Sequence, residues 1–245
     1  ARKQRVDAGG VIAHNLDDAK AFFADKIKFA YDNLPDPFKK VRAAEQDAAA
    51  SMKFNNGSSI RVGTSLRSGT LQILHVSEYG KLCAKNPQRA AEVKAGAFNT
   101  IAVGMRITVE STAEGRAGEF KEMCDKAQKL LQQGDELTAL DFKFHFSGWW
   151  SDKTCRLDAD VVETAEMTAY FAKIEAHPLL KVQSITLDRE QRAWYIKKAE
   201  QQGDKMKQEF PSIPEEAFEG TVEGAYFKSE MAAVRSQGRI CRVPI

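Results

Sequence analysis

Nothing in this 245-residue sequence approaches the roughly twenty consecutive apolar residues of a membrane-spanning helix. The opening residues, ARKQRVDAGG, contain no apolar core of a secretory signal. They also lack an initiator Met, so the expectation is a chain that begins inside a longer protein. The four cysteines, Cys83, Cys124, Cys155 and Cys241, are widely scattered and form no CxxC pair, which argues against zinc. They read as reduced thiols of a cytosolic protein, used as small hydrophobes. No block of Lys or Arg stands out, and the net charge is only +2, so charge alone gives no argument for nucleic-acid binding. No internal repeat is present, and no two histidines have the close helical spacing of a metal site. The most consequential absence is GxxxxGK[ST]. No glycine is followed at the right distance by Gly-Lys-Ser/Thr, so the sequence lacks a phosphate-cradling loop and the lysine that goes with it.

What is present is ordinary in bulk. Hydrophobic residues make up 43% and charged residues 29%, values of a soluble globular protein with one large domain or a domain plus an appendage. Gly10-Val11-Ile12-Ala13-His14 reads as a short buried strand. Asn15 or Asp17 caps a following helix, about 16–33, in which Ala19, Phe22, Phe23, Ile27 and Ala30 recur at helical spacing. Leu34-Pro35-Asp36-Pro37 stops it. Residues 51–64 alternate weakly around Asn55-Asn56-Gly57, a hairpin signal. Further strands are expected at 71–76, 105–109 and 142–146, the last from alternating Phe142, Phe144 and Phe146. Further helices are expected from Asn86-Pro87 to about 97, at 119–133 up to Gly134, at 161–175 and at 188–202, with a short one near 228–235. Strands alternating with helices give an α/β fold with a mostly parallel sheet flanked by helices. The expected division is a main domain over 1–209 and a linker or extension over 210–245.

The run Leu71-Gln72-Ile73-Leu74-His75-Val76 ends abruptly in Ser77-Glu78. Short apolar runs of this kind are buried, usually parallel, strands. A carboxylate where such a strand leaves the sheet lies at the edge where open α/β sheets bind ligands, and ATP hydrolysis uses a carboxylate there to orient and deprotonate water. The plain alternative is an exposed acid at a strand end. Glu110-Ser111-Thr112 follows a second strand and offers hydroxyls toward a γ-phosphate; the alternative is a helix N-cap. Arg67, in a polar loop ahead of the Glu78 strand, could stabilise charge on phosphoryl oxygens or be a solvated surface residue. His75 reads as a core residue, and Trp149-Trp150 as aromatic packing at a strand end rather than a base-stacking platform.

Together these segments resemble the large terminase subunit of tailed bacteriophages and prophages, the ATPase–nuclease that packages double-stranded DNA. Gly10 to His14 with Asp17, Asp18 and Ala19 looks like the strand and helix after the phosphate-binding unit. Phe54-Asn55-Asn56-Gly57-Ser58 and Arg67 with Gly69 look like the hairpin and arginine loop before the Walker B strand. Leu74-His75-Val76-Ser77-Glu78-Tyr79-Gly80 looks like Walker B itself, with Ser77 where Asp is usual, and Glu110-Ser111-Thr112-Ala113-Glu114-Gly115 resembles the coupling motif. Phe210-Pro211-Ser212-Ile213-Pro214-Glu215-Glu216-Ala217-Phe218 resembles the family's YPSTPEEAF segment, followed by Glu223-Gly224-Ala225-Tyr226-Phe227. The resemblance implies a P-loop NTPase-like (RecA-type) sheet without its first phosphate-binding unit, and a nuclease domain beyond Ile245. It implies Glu78 as catalytic acid and Mg²⁺ ligand with Ser77 beside it, Arg67 as an arginine finger in cis or in trans, and Glu110-Ser111-Thr112 as the coupling motif. ATP and Mg²⁺ are then the cofactors of the longer protein, not bound by these residues alone. The partners implied are double-stranded DNA, the portal of the prohead, the small terminase subunit and further copies in a ring, in the bacterial cytoplasm and without a membrane. The rival expectation is a non-catalytic remnant that docks to portal, small subunit or DNA.

Overall fold

The computed structural model describes residues 6–67, 69–114 and 118–219. They divide into two compact units at Ser147/Gly148, not near 209/210.

The first unit is built on a six-stranded sheet, in the order β2-β3-β4-β1-β5-β6. Strands β1 (Ala8–Ile12), β4 (Ser59–Gly63), β5 (Leu71–Val76) and β6 (Ile101–Val109) are parallel. β2 (Ala44–Ala48) and β3 (Ser51–Phe54) extend the sheet antiparallel beyond β4. The fold is therefore mixed α/β and mostly parallel, as the alternation of elements implies. The β3–β4 hairpin turns through Asn55 to Ser58, with Gly57 at φ 84°, a value few side chains tolerate.

Helices cover both faces, as parallel strands require. α1 (Leu16–Phe22) runs through a π-helical stretch, Phe23–Lys28, into α2 (Phe29–Asp32). The Asn15 side chain caps α1 by accepting from the Asp18 N–H at 2.8 Å. This helix lays Ala19 and Phe23 on Val11, Met52 and Val62. A short α3 (Asp36–Val41) starts at the prolines that end α2. On the opposite face, α4 (Tyr79–Lys85), α5 (Pro87–Gly96) and α6 (Glu119–Gln133) cover Ile12, Leu71, Leu74 and Val76. α6 ends at Gly134, as its sequence predicts. Period-two alternation sorts the strand side chains. Leu74 and Val76 are fully buried, while Ile73 on the other face is 48% exposed. Among the described residues β2 and β6 are the edges of the sheet, and they differ. β2 carries Glu45 and Asp47 and a register irregularity, common protections against unwanted pairing. β6 offers Val103 and Met105, both exposed, around a register shift between its start and Arg106.

Residues 142–146 are a correction. They form no strand, because among the described residues no segment pairs with them in a ladder, although exposure still alternates along them and the Phe142 ring lies 6.2 Å from that of Phe98.

The second unit is helical: α7 (Ala165–Glu175), α8 (Pro178–Val182), α9 (Arg189–Gln202), α10 (Met206–Glu209) and α11 (Pro214–Ala217). α9 opens on a capping box between Asp188 and Gln191. Ser212 is its hub. The Trp149 indole donates to Ser212 Oγ at 2.8 Å, the Trp150 indole donates to the Ser212 carbonyl at 2.9 Å, and Tyr170 Oη lies 2.7 Å from Ser212 Oγ. Tyr170 also donates to buried Glu216 at 3.0 Å. The segment 210–219, expected to be a loose extension, is thus packed into this unit. Trp149 and Trp150 are buried, so packing is their role here. The expected helix at 228–235, Glu223 to Phe227 and Cys241 lie outside the described residues. Among the described residues no helix is long and apolar enough to cross a membrane.

Candidate active site at the carboxyl edge of the sheet

Three adjacent parallel strands end at one edge, and their main chains stay paired past the last strand residues. The Ser77 N–H donates to the Ile12 carbonyl at 2.8 Å, the Glu110 N–H to the Val76 carbonyl at 3.0 Å, and the Tyr79 N–H to the Glu110 carbonyl at 3.1 Å. β1 therefore delivers His14, β5 delivers Ser77 and Glu78, and β6 delivers Glu110, Ser111 and Thr112 to one place.

Glu78 turns the chain from β5 into α4 at φ 55°, ψ 40°. Gly80 then lets α4 press against the β6 extension: a methyl group on it would meet Ser111 Oγ, the Thr112 carbonyl and Phe120, each at 2.9 Å. Ser111 Oγ is buried without a hydrogen-bond partner among the described residues. Tyr79, fully buried, ties the three helices of this face by donating to the Ala90 carbonyl at 3.2 Å and to Glu119 at 3.0 Å.

The two carboxylates are in contrasting surroundings. Partial burial pushes the Glu78 carboxyl above its ordinary value, and the nearby Glu110 charge adds to this. Thr112 Oγ1 reaches Glu78 Oε2 at 3.5 Å. Glu110 is held below the ordinary value, first by a hydrogen bond with His75 and then by the Ser77 hydroxyl and the Glu78 N–H, against the effect of burial. His75 is not a core residue. Its side chain is one-third exposed, its Nε2 lies 3.2 Å from Glu110, and the Phe22 ring meets it edge-on at 5.9 Å. Two residues past β1, His14 Nδ1 lies 2.9 Å from Asp18.

Arg67 is elsewhere. It pairs with Glu92 at 2.7 Å, and its stem passes Gly96, the last residue of α5. The first turn of α5 is at the carboxyl edge, about 10 Å up the helix from Gly96 at 1.5 Å per residue. Arg89 in that first turn is the guanidinium that composition and motif reading passed over. It donates to the carbonyls of His14 at 3.3 Å and Thr64 at 3.0 Å, and among the described residues no carboxylate pairs with it. The signal was the Asn86-Pro87 start: Asn86 caps the Arg89 N–H at 3.1 Å and fixes this residue at the helix opening.

No protein-family model matches the sequence, and no curated protein matches it. Among solved structures, the chain is similar to the large terminase of bacteriophage HK97. The match has a TM-score of 0.43 at 12% identity and covers 81% of this chain and 37% of that one. The chain thus spans well under half of that protein's length.

Chemically, the edge holds an acid of raised basicity, Glu78, next to hydroxyls that can donate to an anion. Among the described residues no group of three or more His, Cys, Asp or Glu side chains is arranged to hold a metal ion. A Mg²⁺ site here would have to draw on Glu78, water and the phosphates of a nucleotide, which is how such ions are commonly held.

Proposed function

We propose that these residues are part of the ATP-hydrolysing motor of a DNA-packaging terminase large subunit. The observation that carries this reading is the convergence of Glu78, Thr112 and Glu110 on one edge from adjacent parallel strands, with Glu78 alone raised in pKa. A base works best when its pKa is moved toward the working pH. In the proposed reaction Glu78 orients a water for attack on the γ-phosphorus and takes its proton, while Thr112 fixes the carboxylate. Mg²⁺, when bound with ATP, neutralises charge developing on the phosphate oxygens. The phosphate loop has to be supplied by polypeptide outside these 245 residues, and the uncovered edge of β6 gives its strand a place to add to the sheet. Arg67, held by Glu92 away from Glu78, is then available to a neighbouring subunit's nucleotide. Double-stranded DNA, the portal and the small subunit are the proposed partners.

In a polypeptide that carries both the phosphate loop and these residues, Glu78→Gln abolishes ATP hydrolysis and leaves ATP binding intact. Near-normal hydrolysis overturns the assignment. Titration calorimetry of the 245-residue chain with Mg-ATP gives no measurable heat of binding; micromolar affinity would place a complete nucleotide site within these residues. If the longer polypeptide binds portal or DNA but never hydrolyses ATP, the docking-module reading replaces this one.

A further inference from the structure

One face of α5 holds the loop that follows β4. Arg89, Glu92 and Gly96 are spaced i, i+3 and i+7, so they share one side of the helix. Each of them meets the loop. Arg89 Nη2 donates to the Thr64 carbonyl at 3.0 Å. Glu92 Oε2 lies 2.7 Å from Arg67 Nη2. Gly96 lies under the Arg67 stem: a methyl group on it would stand 3.0 Å from Cγ, 3.4 Å from Nε and 3.5 Å from Cδ. Leu66, between these contacts, is buried in the core with Leu71 and Leu74. The loop backbone is thus pinned at Thr64 and Leu66, and the Arg67 side chain is the part that can swing.

Gly96 is helical and is not among the glycines of positive φ, so its backbone does not call for glycine. Glycine costs a helix up to about 1 kcal/mol against alanine; what it provides here is room for the Arg67 stem. The Arg67–Glu92 pair is 55% and 60% exposed, and an exposed pair contributes at most about 1 kcal/mol. A terminal phosphate carries more charge than a carboxylate, and it takes an arginine fork on two oxygens. The pair therefore holds Arg67 while no phosphoryl group is near and yields to one. We propose that Gly96 and Glu92 are positioning residues that stow Arg67 along α5, with Glu92 as the internal stand-in for phosphoryl oxygens. The consequence for turnover rests on the motor reading, in which Arg67 serves a neighbouring subunit's nucleotide; the seat on α5 does not.

Thermal unfolding of the 245-residue chain tests the seat without any activity. In an Arg67→Ala background, Gly96→Ala raises the midpoint by about 1–4 °C, the gain of helix propensity alone. With Arg67 present, the same substitution gives a smaller gain or a loss, because the added methyl displaces the stem. Equal gains in both backgrounds overturn the seat. NMR titration with inorganic pyrophosphate tests Glu92. The Arg67 Nε–H resonance moves at lower pyrophosphate concentration in Glu92→Gln than in wild type, by up to about fivefold, the worth of one exposed ion pair. Equal affinity, or no movement in either protein, overturns the role of Glu92. In an ATP-hydrolysing longer polypeptide, Glu92→Gln raises kcat by up to about fivefold at unchanged KM, and the gain is absent in an Arg67→Ala background. A lowered kcat means that Glu92 presents Arg67 instead of restraining it, and overturns the proposal. If Glu78→Gln leaves hydrolysis intact while the midpoint cycle and the titration hold, the motor reading fails and the seat stands.

Discussion

Glu78 and Glu110 leave adjacent strands side by side, and their surroundings move their acidities in opposite directions. Stability should follow each with opposite sign. Glu78, raised in the folded state, favours folding below the ordinary value near 4.5 and loses that contribution as pH rises through its folded value. Glu78→Gln is therefore more stable than wild type at pH 7, and the gain fades in acid. Glu110, lowered in the folded state, stabilises above that same ordinary value and loses this as pH falls through its folded value. Glu110→Gln is less stable at pH 7, and the deficit shrinks in acid. Urea unfolding of both variants at neutral and acid pH checks the signs; parallel curves for the two would refute them.

Gly80→Ala tests the close approach of α4 to the β6 extension. Alanine is the better helix former by about 1 kcal/mol, so helix propensity predicts a gain. The three contacts at 2.9 Å, two of them to Ser111 Oγ and the Thr112 carbonyl, predict a loss of about 1–3 kcal/mol instead. Thermal or chemical unfolding decides between them.

Leu74 and Ile73 are neighbours with opposite fates. Leu74 is fully buried, and Ile73 is nearly half exposed. Leu74→Ala should cost about 2–5 kcal/mol and Ile73→Ala under about 1 kcal/mol. Equal costs in denaturant melts would mean that β5 is not in the register that presents Glu78 at the edge.

Ser212→Ala removes the oxygen that accepts from the Trp149 indole and that lies against Tyr170. The buried Trp149 N–H loses its acceptor, at about 1–3 kcal/mol for a buried unsatisfied group, while Tyr170 keeps Glu216 and Tyr195, and tryptophan emission should shift as water reaches the indole. An unaltered melt and spectrum would show that Ser212 is not the hub of the second unit.

The parts of the fold that could be read in the sequence were those with local causes. Apolar β5, the Asn55-Asn56-Gly57 turn, the Asn15 and Asn86 caps and the Gly134 stop each state their structure within a few residues. Strand 142–146 was misread because alternation reports a half-buried extended chain and cannot report whether a partner strand exists. Arg89 was passed over because nothing near it in sequence says that the His14 and Thr64 carbonyls end beside it. His75 was read as core because its neighbours are apolar, yet period two turns it to the opposite face from Leu74 and Val76.

By itself the sequence determined that alternating strands and helices would make a mostly parallel α/β sheet, and that Glu78 would stand where β5 leaves it. Those follow from periodicity and from caps, which are short-range. Only the tertiary structure decided that β1, β5 and β6 are neighbours, that the Glu110 main chain pairs on both sides of the Glu78 turn, and that Arg67 answers Glu92 instead of the edge. Strand order and cross-strand hydrogen bonds join residues that are distant along the chain, as Glu78 and Glu110 are, and no local pattern encodes which of them will meet.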